Sequence, residues 1–151
     1  GFFADLENNK VQIFEDYGTG YSPEHSYYLY LSYMVEGRMR VSLPVKEGVK
    51  GIRIDPAETS CMVRMLAARL NEEELPLSEP AYLAMNGWEL SKEKEANPLF
   101  FFHTNDPNIN IRLEKVEHSG NELLEVEFEI ERLSEETASV LEANLKRRRW
   151  F

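Results

Sequence analysis

The sequence predicts an all-β fold, a two-sheet antiparallel β-sandwich of jelly-roll-like form, followed by a C-terminal α-helix. Three observations predict it. Leu124, Val126, Phe128 and Ile130 alternate without a break with Glu125, Glu127, Glu129 and Glu131, as in a strand with one buried and one solvated face. Short β-rich stretches recur along the chain at spacings of roughly ten residues, each ended by a turn signal. Ser134 followed by Glu135 and Glu136 opens a helical run that closes on Lys146–Arg149, a cap and charge order matched to a helix dipole.

Taken from the N-terminus, Val11–Glu15 alternates and runs into the turn-rich Asp16-Tyr-Gly-Thr-Gly20, so it reads as a strand entering a loop. Tyr27–Met34, a Glu36-Gly37 turn and Arg38–Leu43 read as a hairpin, with Met39, Val41 and Leu43 on one face. Pro44 cannot donate to a ladder, and Glu47-Gly48 turns the chain into a strand over 49–54 closed by Asp55-Pro56. Cys61–Leu70 mixes helix formers with a strand face at 61, 63, 65 and 67, and is assigned as strand. Residues 71–97 read as a polar loop holding one short strand at Ala81–Met85. Leu99–His103 is an aromatic strand covered on both sides, and Asn105–Asn108 turns it into Ile109–Leu113. The sandwich is expected over 1–133 and the helix over 134–151, as a connector to a neighbouring domain. Its apolar residues Val140, Leu141 and Leu145 form a narrow stripe suited to one partner surface. An opening Gly1 and a closing Trp150-Phe151 suggest a piece excised from a longer polypeptide.

The 151 residues suffice for one core of ordinary domain size. Net charge is −10, and without the four cations at 146–149 it would be −14 (13 Lys and Arg against 27 Asp and Glu). Such a surface repels phosphate backbones, so nucleic acid is not expected as a partner. No run of about eighteen apolar residues is present, so no membrane insertion is expected. The lone Cys61 lies in an apolar stretch, which fits a buried thiol and a cytoplasmic location.

Patterns for chemistry are few. His25, His103 and His118 are far apart and lie in no zinc-binding spacing, and Cys61 has no second cysteine, so neither a metal nor another cofactor is expected. With 27 acidic residues, a pairing of carboxylates carries no information by itself. Gly18 and Gly20 occupy positions where a calcium loop would need oxygen-bearing side chains. The compositional oddity is aromatic: Tyr17, Tyr21, Tyr27, Tyr28, Tyr30 and Tyr33 fall within seventeen residues, and aromatic faces stack on sugar rings. Alternation separates Tyr28 and Tyr30 from Tyr27 and Tyr33, one set being core. Tyr17 and Tyr21, in the loop, are the expected exposed rings of a carbohydrate site.

Three stretches then stand out in order: Asp16-Tyr-Gly18-Thr-Gly20-Tyr21-Ser-Pro-Glu24-His-Ser26, Ile52-Arg53-Ile54-Asp55-Pro56, and Thr104-Asn-Asp106-Pro107-Asn-Ile109. Together they resemble an accessory β-sandwich of bacterial multidomain glycosyltransferases, including those of rhamnan and other surface-polysaccharide synthesis. The likeness spans about residues 10 to 133, with Ile54 where Phe is common. It implies a non-catalytic spacer, or alternatively a module contacting the growing glycan, with transfer left to flanking domains of the same polypeptide; an independent enzyme is the third reading. The motif residues also have structural roles. Gly18 and Gly20 suit positive φ, Glu24 and Ser26 can bond loop amides, and Asp55 and Asp106 can end strands. Arg53 points away from Ile52 and Ile54, where an acid such as Asp16 is one partner to consider.

Overall fold

A computed structural model describes residues 10–30, 37–91 and 97–149. Two antiparallel sheets face each other. The first has the order β2-β1-β4-β10-β7, formed by Ser26–Tyr30 (β2), Lys10–Asp16 (β1), Gly51–Asp55 (β4), Ile109–Arg112 (β10) and Leu83–Met85 (β7). The second has the order β3-β11-β5-β9-β8, formed by Arg38–Val45 (β3), Glu122–Arg132 (β11), Cys61–Leu70 (β5), Leu99–Phe102 (β9) and Trp88–Glu89 (β8). Glu73–Glu74 (β6) pairs with β5, and the helix Glu135–Arg149 (α1) follows β11. After β2 the chain changes sheet at nearly every connection, the crossing habit of a jelly roll.

Inward-facing side chains of both sheets share one core, including Ile13, Ile52, Ile54, Ile109 and Ile111 from the first and Met39, Val41, Val63, Val126 and Phe128 from the second. The glutamate-alternating strand behaves as expected: Leu124, Val126, Phe128 and Ile130 are buried. Its glutamates meet arginines on the outer face of the second sheet, with Arg40 Nη2 to Glu125 at 2.8 Å and Arg38 Nη2 to Glu129 at 3.3 Å. Pro44 sits on the edge strand β3, where its missing N–H costs no ladder bond. Cys61 is buried, and burial pushes its thiol up to about 12.

Three expectations need correction. β2 and β3 are not a hairpin, because β2 pairs with β1 in the first sheet and β3 with β11 in the second. An alternating pattern shows that a strand has a core face, but it does not name the partner. Residues 31–36, which include Tyr33 and Glu36, lie outside the described residues. The inward face of β5 is 61, 63, 65, then 68 and 70, because a bulge opposite Glu127/Phe128 shifts the register. Residues 71–97 hold more than one strand: Asn71 (φ 48°) and Glu72 (φ 73°) form a two-residue turn of the type-I′ kind between β5 and β6.

The helix is capped as expected, with the Thr137 amide donating to Ser134 Oγ at 3.1 Å. It lies against the outer side of the second sheet. His103 meets Glu135 through Nε2 at 2.6 Å and Glu142 through Nδ1 at 3.1 Å, and these carboxylates hold its pKa above the ordinary value. Phe101 has no exposed surface, yet its neighbours Phe100 and Phe102 are the ones that join the main core. Phe101 borders a cleft of about 340 Å³ shared with Leu90, Leu141 and Leu145, and its ring stacks on His103 at 6.5 Å. The expected stripe therefore divides: Leu141 and Leu145 turn toward the sheet, while Val140 is 58% exposed.

Candidate functional site

The outer face of the first sheet collects the residues of all three sequence motifs. On β1, Val11 and Ile13 are buried inward, so Gln12, Phe14 and Asp16 point out. On β4, Ile52 and Ile54 are inward, so Gly51, Arg53 and Asp55 point out. The pairing of β2 with β1 sets Tyr27 opposite Ile13 and Leu29 opposite Val11. Tyr27 and Leu29 thus pack on the core, and Tyr28 and Tyr30 face out, 47% and 56% exposed.

At one end of this face Asp16 builds the first loop. Its Oδ1 accepts from the Gly18 amide at 2.7 Å and the Gly20 amide at 2.9 Å. Both glycines have positive φ, 110° and 93°. A β-branched side chain in that region is strained, so Gly18→Val and Gly20→Val are each expected to cost about 1–3 kcal/mol, read as lowered melting temperatures. Space is no obstacle, since an added Cβ at either position meets nothing within 4 Å. Unchanged melting for both would mean the loop tolerates other angles. Ser26 Oγ donates to the Pro23 carbonyl at 2.7 Å, while Glu24 lies exposed in the single 3-10 turn Pro23–His25.

Tyr17 and Tyr21, the rings expected to be free, are both half-buried. Tyr17 packs on the core and sets its ring 5.0 Å from that of His25. Tyr21 reaches back over β4: its hydroxyl would be 2.8 Å from a Cβ placed on Gly51, and its ring centroid is 5.6 Å from the Arg53 guanidinium. Burial first, then Asp16, pushes the Tyr21 hydroxyl up to about 12. Loop position suggested exposure, but the two positive-φ glycines fold this segment back onto the sheet.

Arg53 is the centre of the face. Its guanidinium lies 4.0 Å over the Phe14 ring and makes a two-point fork to Asp55, Nε to Oδ1 at 2.8 Å and Nη2 to Oδ2 at 2.9 Å. Its ion-pair partner is therefore Asp55, two residues on, while Asp16 serves the loop amides. Asp55 is almost wholly buried. Burial raises its pKa, Arg53 opposes that, and Asp106, within hydrogen-bonding reach, raises it further. The two Asp-Pro turns, 51 residues apart in sequence, thus bring their carboxyls together. Asn86 holds the second turn in place: its Nδ2 donates to the Asp106 carbonyl at 2.9 Å and its Oδ1 accepts from the Asn108 amide at 2.8 Å.

Beside this pair opens a cleft of about 340 Å³ whose walls include Gln12, Tyr28, Asn105 and Glu58. Lys10 steadies its rim, with Nζ 4.9 Å from the Tyr28 ring centroid and 3.6 Å from Glu58. Compared with known protein families, curated proteins and solved structures, the chain gives no significant match. Among the described residues no group of three or more His, Cys, Asp or Glu is placed to hold a metal ion, and no helix is long and apolar enough to cross a membrane.

Sequence reasoning singled out Arg53, Asp55 and Asp106, and the structure unites them. It missed Gln12, Tyr28, Asn86 and Asn105. Asn105 lay within the third motif without being given a role, and Tyr28 left a signal, since alternation grouped it with Tyr30; the pairing partner needed to point that group outward was not readable.

Proposed function

We propose that this chain is a non-catalytic accessory sandwich of a bacterial surface-polysaccharide glycosyltransferase, and that it holds glycan on the outer face of its first sheet. One observation carries the reading: Tyr28 and Tyr30 are exposed on one strand, and Tyr28 lines a cleft walled by amides and carboxylates. Rings in that setting stack on the apolar faces of sugars while polar neighbours meet the hydroxyls. The resemblance of the three motifs points the same way, since their residues Asp55 and Asp106 line this cleft and Arg53 holds Asp55. The test is capture of bacterial surface oligosaccharides on a glycan array. Tyr28→Ala and Tyr30→Ala are each expected to weaken capture about tenfold, equivalent to ~1.4 kcal/mol, with melting temperature unchanged. Capture insensitive to both substitutions would remove the site.

The second reading is a spacer that orients flanking domains. What favours it is α1, which leaves Val140 exposed on a helix whose last turn is basic.

A further inference from the structure

Resting on that glycan reading, we propose that the cleft beside Tyr28 selects sugars without anionic groups and rejects uronates and phosphorylated sugars. The argument starts from the walls. Among the described residues, Asp55, Glu58 and Asp106 contribute three carboxyls and Lys10 is the one cationic side chain lining the cleft, with the Arg53 guanidinium behind Asp55. Lys10 is already engaged, by Glu58 at 3.6 Å and by the Tyr28 ring. Those contacts already offset part of its charge.

One carboxyl is also fixed in direction, and the turn that carries another is held. The Arg53 fork sets the plane of the Asp55 carboxylate, and the Asn86 clamp on the Asp106 and Asn108 backbone sets the turn that carries Asp106. Carboxylates are acceptors, so they favour ligands rich in hydroxyl donors. The amides of Gln12 and Asn105 supply both donors and acceptors to the same space. Tyr28 adds an apolar face for the C–H side of a ring. A neutral polyhydroxylated sugar answers each of these groups. A uronate or phosphate keeps the stacking face but places like charge against this wall, in which Glu58 and Asp106 are exposed and Asp55 is buried, and such juxtaposition is penalised.

The experiment uses the full chain on an array in which each uronate-containing oligosaccharide is paired with its methyl ester, alongside neutral oligosaccharides. Ester and acid differ by the charge and one methyl group, and the Asp106→Asn arm separates the two. Neutral and esterified forms are expected to bind at least about tenfold more tightly than the free acids at low salt. Asp106→Asn, on an exposed turn, keeps the shape and should narrow the difference between each ester and its acid. Equal or tighter binding of the acids, with Tyr28→Ala still weakening capture about tenfold, overturns the charge selection and leaves the glycan reading standing. If no oligosaccharide is captured in any form, both fall. An ester preference that Asp106→Asn leaves unchanged also overturns the proposal, because the acidic wall would not be its source.

Discussion

Phe101→Ala is expected to cost about 3–5 kcal/mol, the loss typical of a main-core phenylalanine, although Phe101 points away from the main core. Its neighbours across the outer face of the second sheet are Met62 and Trp88 by strand register. Its cover comes from α1 through Leu141 and Leu145, with His103 alongside. Truncation after Ser134 should therefore cost about 1.5–3 kcal/mol, the value of returning one large apolar side chain to water. The two changes remove parts of the same contact, so they should not add. In urea titrations of the four-member cycle, Phe101→Ala should lose at least ~1 kcal/mol of its effect once the helix is gone. Additive losses would show that Phe101 is buried by the sheet alone and that α1 contributes nothing to it.

The same region shows what the sequence could and could not disclose. That Leu99–His103 is covered on both faces was readable, because three successive phenylalanines leave no polar side to a strand. What covers the outer face was not, since Val140, Leu141 and Leu145 sit one and five residues apart and the helix is polar on most of its surface. The strand pattern of the sandwich was legible wherever alternation was regular, as in β3 and β11. It failed at β5, where one bulge residue moves the core face from Met65 to Ala68 and an alternation rule expects Ala67. Pairing was the least legible property. Tyr27–Tyr30 reads equally well against β1 or β3, and that choice decides which tyrosines face solvent. The site suffered accordingly: Arg53, Asp55 and Asp106 were marked by motif, whereas Tyr28, Gln12 and Asn105 became neighbours only through β-pairing and the turn before β10.

Arg53→Met is the second large effect expected, about 2–4 kcal/mol at pH 7, toward the lower part of the range for breaking a buried ion pair. Methionine keeps an apolar stem over Phe14 and under Tyr21, so packing changes little and the loss isolates the charge. What remains is Asp55, with its side chain 9% exposed and both oxygens deprived of the fork. Burial, the largest influence on Asp55, already holds its carboxyl above the ordinary value, and Arg53 is the group that counters it. A carboxyl whose folded pKa lies above its unfolded value binds its proton more tightly in the native state. It therefore withdraws stability as pH rises from about 3.9 through the folded pKa. In the wild type Arg53 keeps that loss small. In the variant the folded pKa rises further, nearby Asp106 adds to the rise, and the loss at neutral pH deepens. The gap in stability between wild type and Arg53→Met should thus shrink as pH falls from 7 toward 4. Asp55→Asn introduced into Arg53→Met should recover much of the loss at pH 7 by removing the stranded charge. Urea titrations at the two pH values measure both effects, and a gap of equal size at pH 7 and pH 4 would mean that Arg53 acts through packing on Phe14 and Tyr21 rather than through Asp55.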